Sequence, residues 1–244
     1  MKVFTSMEEA IASVRGNFCL GCRTFRTPAV DQHANNGRTV VWVLSGIPGT
    51  GKSTVAELLR NAYPPFRSMV ISRDEIRTDL IYTFENLDPA TREFRMNMLD
   101  DFTSWSVIAR LRKLITGTPR KDRYSAIIID GCHTNYMTLM ELLLVLEEMG
   151  TDVIVNLMIV GDEDSVCCHS INGREEGDYS DYGPHGHHQS LPHVVVERKR
   201  KEMHELLRHR SKDIFRHVDE IYCIPDAFDR LGATHRAANK GHSA

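Results

Sequence analysis

One octapeptide restricts this chain more than any other feature: Gly46-Ile47-Pro48-Gly49-Thr50-Gly51-Lys52-Ser53. It fits GxxxxGK(S/T) at every fixed position. Glycines at these places let the backbone wrap closely enough to aim N–H groups at phosphate oxygens, and a helix starting there adds its positive N-terminal end. Lys52 is expected to reach the β- and γ-phosphates of ATP, and the Ser53 hydroxyl to ligate Mg2+; Thr54 completes the nucleotide-binding set. Such a loop needs a strand before it and a helix after it. Val40 to Leu44 form a continuous apolar run, as a strand buried on both faces requires. Val55, Leu58, Leu59 and Ala62 then recur at helical spacing, and Pro64 and Pro65 stop the helix.

The strand-then-helix unit repeats along the chain. Met69 to Ile71 predict a second strand, and Ser72-Arg73-Asp74-Glu75 has capping-box spacing for the next helix. One long amphipathic helix is expected from about Ala90 to Thr116, ended by Gly117 and Pro119. Ala126 to Ile129 read as a third strand, Tyr136 to Met149 as a leucine-rich helix with Gly150 as its C-terminal cap, Asp152 to Val160 as a fourth strand and Ile221 to Ile224 as a fifth. Alternation of this kind implies an α/β fold: a parallel, roughly five-stranded sheet covered by helices on both faces. Residues 1–38, with a weak helical pattern at Met7, Ile11 and Val14, read as an N-terminal extension before a domain at 39–225. The polar, Gly-, His- and acid-rich stretch 172–192 reads as a mobile lid, and 226–244 as a flexible tail.

Composition excludes several classes. A net charge of −3 argues against a globally basic nucleic-acid binder, though not against local stripes. No apolar run approaches the length of a membrane span and no signal core follows the N-terminus, so a cytoplasmic protein without membrane contact is expected. In that compartment six cysteines do not suggest a disulfide framework. Cys19 and Cys22 supply half of a tetrahedral zinc site, and no second CxxC or HxxxH completes it; reduced thiols are the simpler reading.

A second constellation follows the second strand, whose C-terminal end should open on the same sheet edge as the phosphate loop. Asp74 and Arg77, three apart, lie on one helix face. A carboxylate there can take the proton of an attacking hydroxyl while the arginine holds a phosphate of the acceptor. A surface Asp–Arg pair, with Asp74 answering the helix dipole, is the plainer alternative. Ile127-Ile128-Ile129-Asp130 is an apolar strand ending in a carboxylate, the form of a Walker B acid near Mg2+. A helix-capping role for Asp130 competes with that reading, and Asn135 is expected to cap the helix that follows.

GIPGTGKST, ISRDEIR and IIIDGCHTN together resemble the 5′-hydroxyl polynucleotide kinases of the bacteriophage type, within a wider group of P-loop kinases that includes zeta-toxin-like enzymes. The resemblance spans about residues 39–210, and its RDxxR element is the more specific part. It implies that Asp74 is the general base, that Arg77 binds a substrate phosphate, that Asp130 lies near the acceptor, and that Arg174 is a lid arginine stabilising the transferred group. Two departures stand out: the run after Asp130 is one residue longer than the family pattern, and Glu175, Glu176, Asp178 and Asp181 make this lid acidic. Two basic stripes, Arg110 to Arg123 and Arg198 to Arg216, are the candidate path of a polyanionic acceptor. The expected activity is ATP-dependent phosphorylation of a nucleic-acid hydroxyl, most simply a 5′-OH end of DNA or RNA. A hydroxylated modified base is an alternative acceptor, as is a small metabolite such as a nucleoside, nucleotide sugar or antibiotic. A nucleotide-dependent binding module without transfer is the remaining possibility.

Overall fold

The computed structural model describes residues 38–64, 66–161, 193–214 and 216–224, together with three short strands, β1 (Lys2–Val3), β2 (Asn17–Cys19) and β3 (Thr24–Arg26). The main strands are β4 (Thr39–Ser45), β5 (Ser68–Ser72), β6 (Ala126–Asp130), β7 (Val153–Val160) and β8 (Glu220–Ile224). The helices are α1 (Lys52–Asn61), α2 (Arg73–Glu85), α3 (Pro89–Asn97), α4 (Leu99–Ile115), α5 (Tyr136–Glu148), α6 (His193–His209) and the one-turn α7 (Ser211–Ile214).

The sheet has the order β1-β8-β7-β4-β6-β5, and every pairing in it is parallel. Its five main strands are those the apolar runs predict. The two-residue β1, within residues 1–38, pairs beside Tyr222 and Cys223 at the edge. β2 and β3 form a separate antiparallel pair. The segment with the Met7, Ile11 and Val14 pattern and Cys22 lie outside the described residues.

Period-two geometry explains why the strands are apolar throughout. All seven residues of β4 and all eight of β7 are buried, because alternate side chains feed two different cores. Val41, Val43, Ile127, Ile129 and Leu157 face one side, where they pack with Leu111, Ile115, Leu139, Leu143 and Met203 from α4, α5 and α6. Val40, Trp42, Leu44, Ile128 and Met158 face the other side, under Val55, Leu58 and Leu59 of α1. Each fully buried aliphatic side chain contributes about 1.5–3 kcal/mol. Trp42 satisfies its indole N–H by donating to the Tyr63 hydroxyl at 2.8 Å.

The single helix expected over Ala90–Thr116 is two. α3 ends at Asn97, Met98 (φ −100°, ψ 11°) caps it, and α4 begins at Leu99. Buried Leu99, Thr103, Val107, Leu111 and Ile115 recur every fourth residue in α4, whereas α3 buries none of its residues. The two stretches therefore have no common buried face. Asp100 and Asp101 in the first turn of α4 suit a fresh N-terminus. The expected helix caps hold. Ser72 caps α2 by accepting from the Glu75 N–H at 3.2 Å, Asn135 caps α5 through the Thr138 N–H at 3.2 Å, and Gly150 takes φ 62° beyond the end of α5.

Candidate active site

The loop from Gly46 to Ser53 joins the C-terminal end of β4 to α1. Gly49 and Gly51 have φ of 86° and 89°, a region that L side chains rarely enter, and Gly51 serves as the N-cap of α1. Gly46 is required for a different reason. A Cβ there would stand 2.4 Å from the Val160 carbonyl oxygen and 3.0 Å from the Thr50 hydroxyl. Thr50 Oγ1 and Lys52 Nζ both donate to the Ile47 carbonyl, at 3.1 and 2.7 Å. Lys52 is thus folded back over its own loop, buried, and without a carboxylate salt bridge among the described residues. No acidic residue occupies the first turn of α1, so its N-terminal N–H groups and the ammonium leave positive potential for an anion.

Parallel register brings the ends of the neighbouring strands to the same edge. Val43 lies beside Ile129, and Ser72 beside Asp130. Asp130 is buried at 8% exposure, with the Ser53 hydroxyl near enough to favour its charged form. Burial pushes its carboxyl above the ordinary value; the Ser53 hydroxyl and the Lys52 charge pull it down, while Asp74 and Glu75 push it up again. Lys52, Ser53, Asp130 and Asp74 are therefore one electrostatic group, assembled from three separate strand ends. Asp74 is an exposed residue in the first turn of α2. The Ser53–Asp130 pair and the positive loop fit Mg2+ with nucleotide phosphates: a hard cation of this kind takes few protein oxygens and the rest from phosphate and water.

The segment after β6 is bound to the root of the phosphate loop. The Gly46 N–H donates to the Cys132 carbonyl at 3.1 Å, and Ser45 Oγ donates to the His133 carbonyl at 2.9 Å. Thr134 Oγ1 donates to Glu202 of α6 at 2.7 Å, and Lys199 donates to the same carboxylate at 2.8 Å. These contacts draw α6 to the site. His133, Arg73 and Glu202 are not among the sequence candidates, and Lys199 is one only as a member of the second basic stripe. Arg73 stands inside the RDEIR run beside Asp74, and His133 inside the lengthened run after Asp130, so position alone could have raised both.

Arg77 is half-exposed and paired with Asp100 of α4 at 3.4 Å. Arg174 and the rest of the lid, with its histidines at 185, 187 and 188, lie outside the described residues. The first basic stripe does not flank this edge. Arg112 pairs with Glu148 at the last turn of α5 at 2.7 Å, and Arg120 and Arg123 both pair with Asp152, just before β7 begins. Those positions mark the N-terminal edge of the strands, opposite the phosphate loop. The expectation that this stripe brackets the site is corrected accordingly: helices returning to the starts of parallel strands deliver their C-terminal arginines to the far edge.

No family model and no curated protein matches the chain. Among solved structures it is similar to Kti12 of Chaetomium thermophilum in complex with ADP-AlF3, with 15% identity, TM-score 0.49, and 76% of this chain and 88% of that one covered. It is similar at 19% identity, TM-score 0.46, to a chain of the Pnkp1/Rnl/Hen1 RNA repair complex, covering 78% of this chain and 49% of that one. The tunicamycin resistance protein of Deinococcus radiodurans aligns at 14% identity, TM-score 0.43, with 76% and 86% covered. These likenesses are slight, and the chemistry rests on the site itself.

Proposed function

We propose that this protein is an ATP-dependent kinase that transfers the γ-phosphoryl group to a hydroxyl of a nucleic acid, most simply a 5′-OH end. The observation that supports it most is the convergence of Lys52, Ser53 and Asp130 beneath the phosphate loop, with Asp74 at the adjoining helix start. Mg2+ held near Ser53 and Asp130 would supply charge neutralisation to the phosphates. Loop N–H groups and Lys52 hold the β- and γ-phosphates and stabilise the charge that spreads over the transferred group. Asp74 accepts the proton of the acceptor hydroxyl as its oxygen bonds to the γ-phosphorus. The bond from that phosphorus to the β–γ bridging oxygen breaks, and ADP departs. Arg77, freed from Asp100, would hold the phosphate next to the acceptor, and Arg174 would close from the lid.

The test is transfer of labelled γ-phosphate from Mg2+-ATP to single- and double-stranded 5′-hydroxyl oligonucleotides. Wild-type protein should label them, and Asp74→Asn should lose about 100- to 10,000-fold of the rate, the usual worth of a positioned base. One observation favours a second reading: the stripe ion-paired at the far sheet edge offers no path to a long polyanion. That placement suits a compact hydroxylated acceptor, such as a nucleoside, nucleotide sugar or antibiotic, or a single modified base. Oligonucleotides left unlabelled by a protein that binds ATP would select this second reading. ATP turnover and ligand effects untouched by Asp74→Asn would instead select a binding module.

A further inference from the structure

His133 is a buried histidine, 6% exposed, at the end of the sheet where the chemistry converges. Its backbone has φ 30°, unusual for a residue with a side chain. Neither ring nitrogen has a hydrogen-bond partner among the described residues. Burying both without partners is costly, so something must repay it. The conformation is held in place from outside: the His133 carbonyl is bonded by Ser45, and the next residue, Thr134, is bonded to Glu202.

The ring's place is well defined. A Cβ on Gly131 would meet His133 Nε2 at 2.8 Å and the Arg73 Cβ at 3.2 Å, so the imidazole edge and the Arg73 stem lie together over the glycine that follows Asp130. Arg73 is anchored by two neutral oxygens, Ser104 Oγ at 2.9 Å and the Asp100 carbonyl at 3.3 Å, and it has no carboxylate partner among the described residues. Three cations act on His133, Arg73, Lys52 and Lys199, of which Lys199 is itself paired with Glu202. Burial first, and those cations second, hold its pKa down to about 3, so the ring carries one N–H and one lone pair at ordinary pH. An N–H donor beside a guanidinium without a carboxylate partner among the described residues is complementary to an anionic oxygen.

We propose that His133 and Arg73 form a second anion subsite beside the phosphate loop, in which the imidazole N–H and the guanidinium bind a phosphate carried by the acceptor substrate. The inference rests on the kinase reading only in calling the ligand an acceptor. It assigns the phosphate-holding role to Arg73, which has no carboxylate partner among the described residues, in addition to Arg77, whose charge is shared with Asp100.

The experiment uses the full chain with ring-15N-labelled histidine, saturated with Mg2+ and the non-hydrolysable analogue AMPPNP so that the γ-phosphate position is filled. Inorganic phosphate is then titrated as the probe. His133 is recognised as the ring that stays neutral as pH falls to about 5, where ordinary histidines protonate. Phosphate should shift this resonance saturably, and its affinity should fall about tenfold or more in both Arg73→Gln and His133→Asn. AMPPNP affinity should be unchanged in both. An unmoved His133 signal, or wild-type phosphate affinity in Arg73→Gln, would overturn the subsite; Arg73 is partly exposed, so that variant decides if His133→Asn fails to fold. Failure of AMPPNP to bind would count against the proposed function instead, and the phosphate titration without nucleotide would still read the subsite through Arg73→Gln.

Discussion

Replacing Gly46 by alanine tests the phosphate loop at the point where the structure leaves no room. The new Cβ would fall 2.4 Å from the Val160 carbonyl oxygen, about 1 Å inside ordinary van der Waals contact. That oxygen belongs to the last residue of a strand buried along its whole length, so the backbone it sits on cannot move aside cheaply. The loop must lift instead. Overpacking of this kind costs about 1–3 kcal/mol. At about 2–4 °C per kcal/mol for a chain of this size, thermal unfolding should begin about 2–12 °C lower. Lifting the loop also strains the Gly46 N–H bond to Cys132 and turns N–H donors away from the phosphates. Losing one charge-assisted bond should weaken Mg2+-ATP binding about ten- to a hundredfold. Differential scanning calorimetry and isothermal titration with ATP measure the two effects. Gly150→Ala is the control: φ is 62° there, but a Cβ would meet nothing within 4 Å. It should cost about 1 kcal/mol in backbone strain and leave ATP affinity alone. A Gly46→Ala protein with wild-type melting and wild-type ATP affinity would refute the steric argument.

Further outcomes follow from the same geometry. With His133 near pKa 3 in the native protein and 6.5 when unfolded, the unfolded chain takes up a proton that the fold refuses, so stability is full above pH 6.5 and declines as pH falls through that window. Urea unfolding at pH 5 should show about 2 kcal/mol less stability from this group than at pH 7, a difference absent from His133→Gln. Asp130 has the opposite sign: its raised carboxyl makes the native state bind the proton longer, so its contribution worsens as pH rises above the ordinary value of 3.8. Asp130→Asn should therefore melt higher than wild type at neutral pH while losing Mg2+-dependent nucleotide binding; a lower melting midpoint would contradict the burial argument. Arg120→Ala breaks an exposed ion pair at the far edge and should cost about 0–1 kcal/mol. Transfer rates and acceptor KM should be unaltered by it, and a raised KM for an oligonucleotide would restore the first stripe to the binding path.

Much of the molecule is legible from residue order because the relevant physics is local. The phosphate loop is eight consecutive residues, and its positive-φ glycines need no distant partner to be useful. Apolar runs such as Val40–Leu44 and Ile127–Ile129 declare strands buried on two faces, and the caps at Ser72 and Asn135 act within three residues. The break at Met98 was not legible. Periodicity continues through it, and only the contrast between a helix with a buried face and one with none divides the segment.

What the tertiary structure decided is which residues meet. Charge runs look alike in sequence, yet the first stripe sits at the strand starts, paired with Glu148 and Asp152, while Lys199 from the second is drawn to the site through Glu202. Ser53 and Asp130 are far apart along the chain and brought to one electrostatic group in the fold. His133 is an ordinary polar residue in a loop until packing removes its water and sets it over Gly131 beside Arg73. The reason is the parallel sheet itself. Its register carries the ends of β4, β5 and β6 to one edge whatever their distance in sequence, and burial at that edge turns otherwise unremarkable side chains into groups with altered charge and unmet hydrogen bonds.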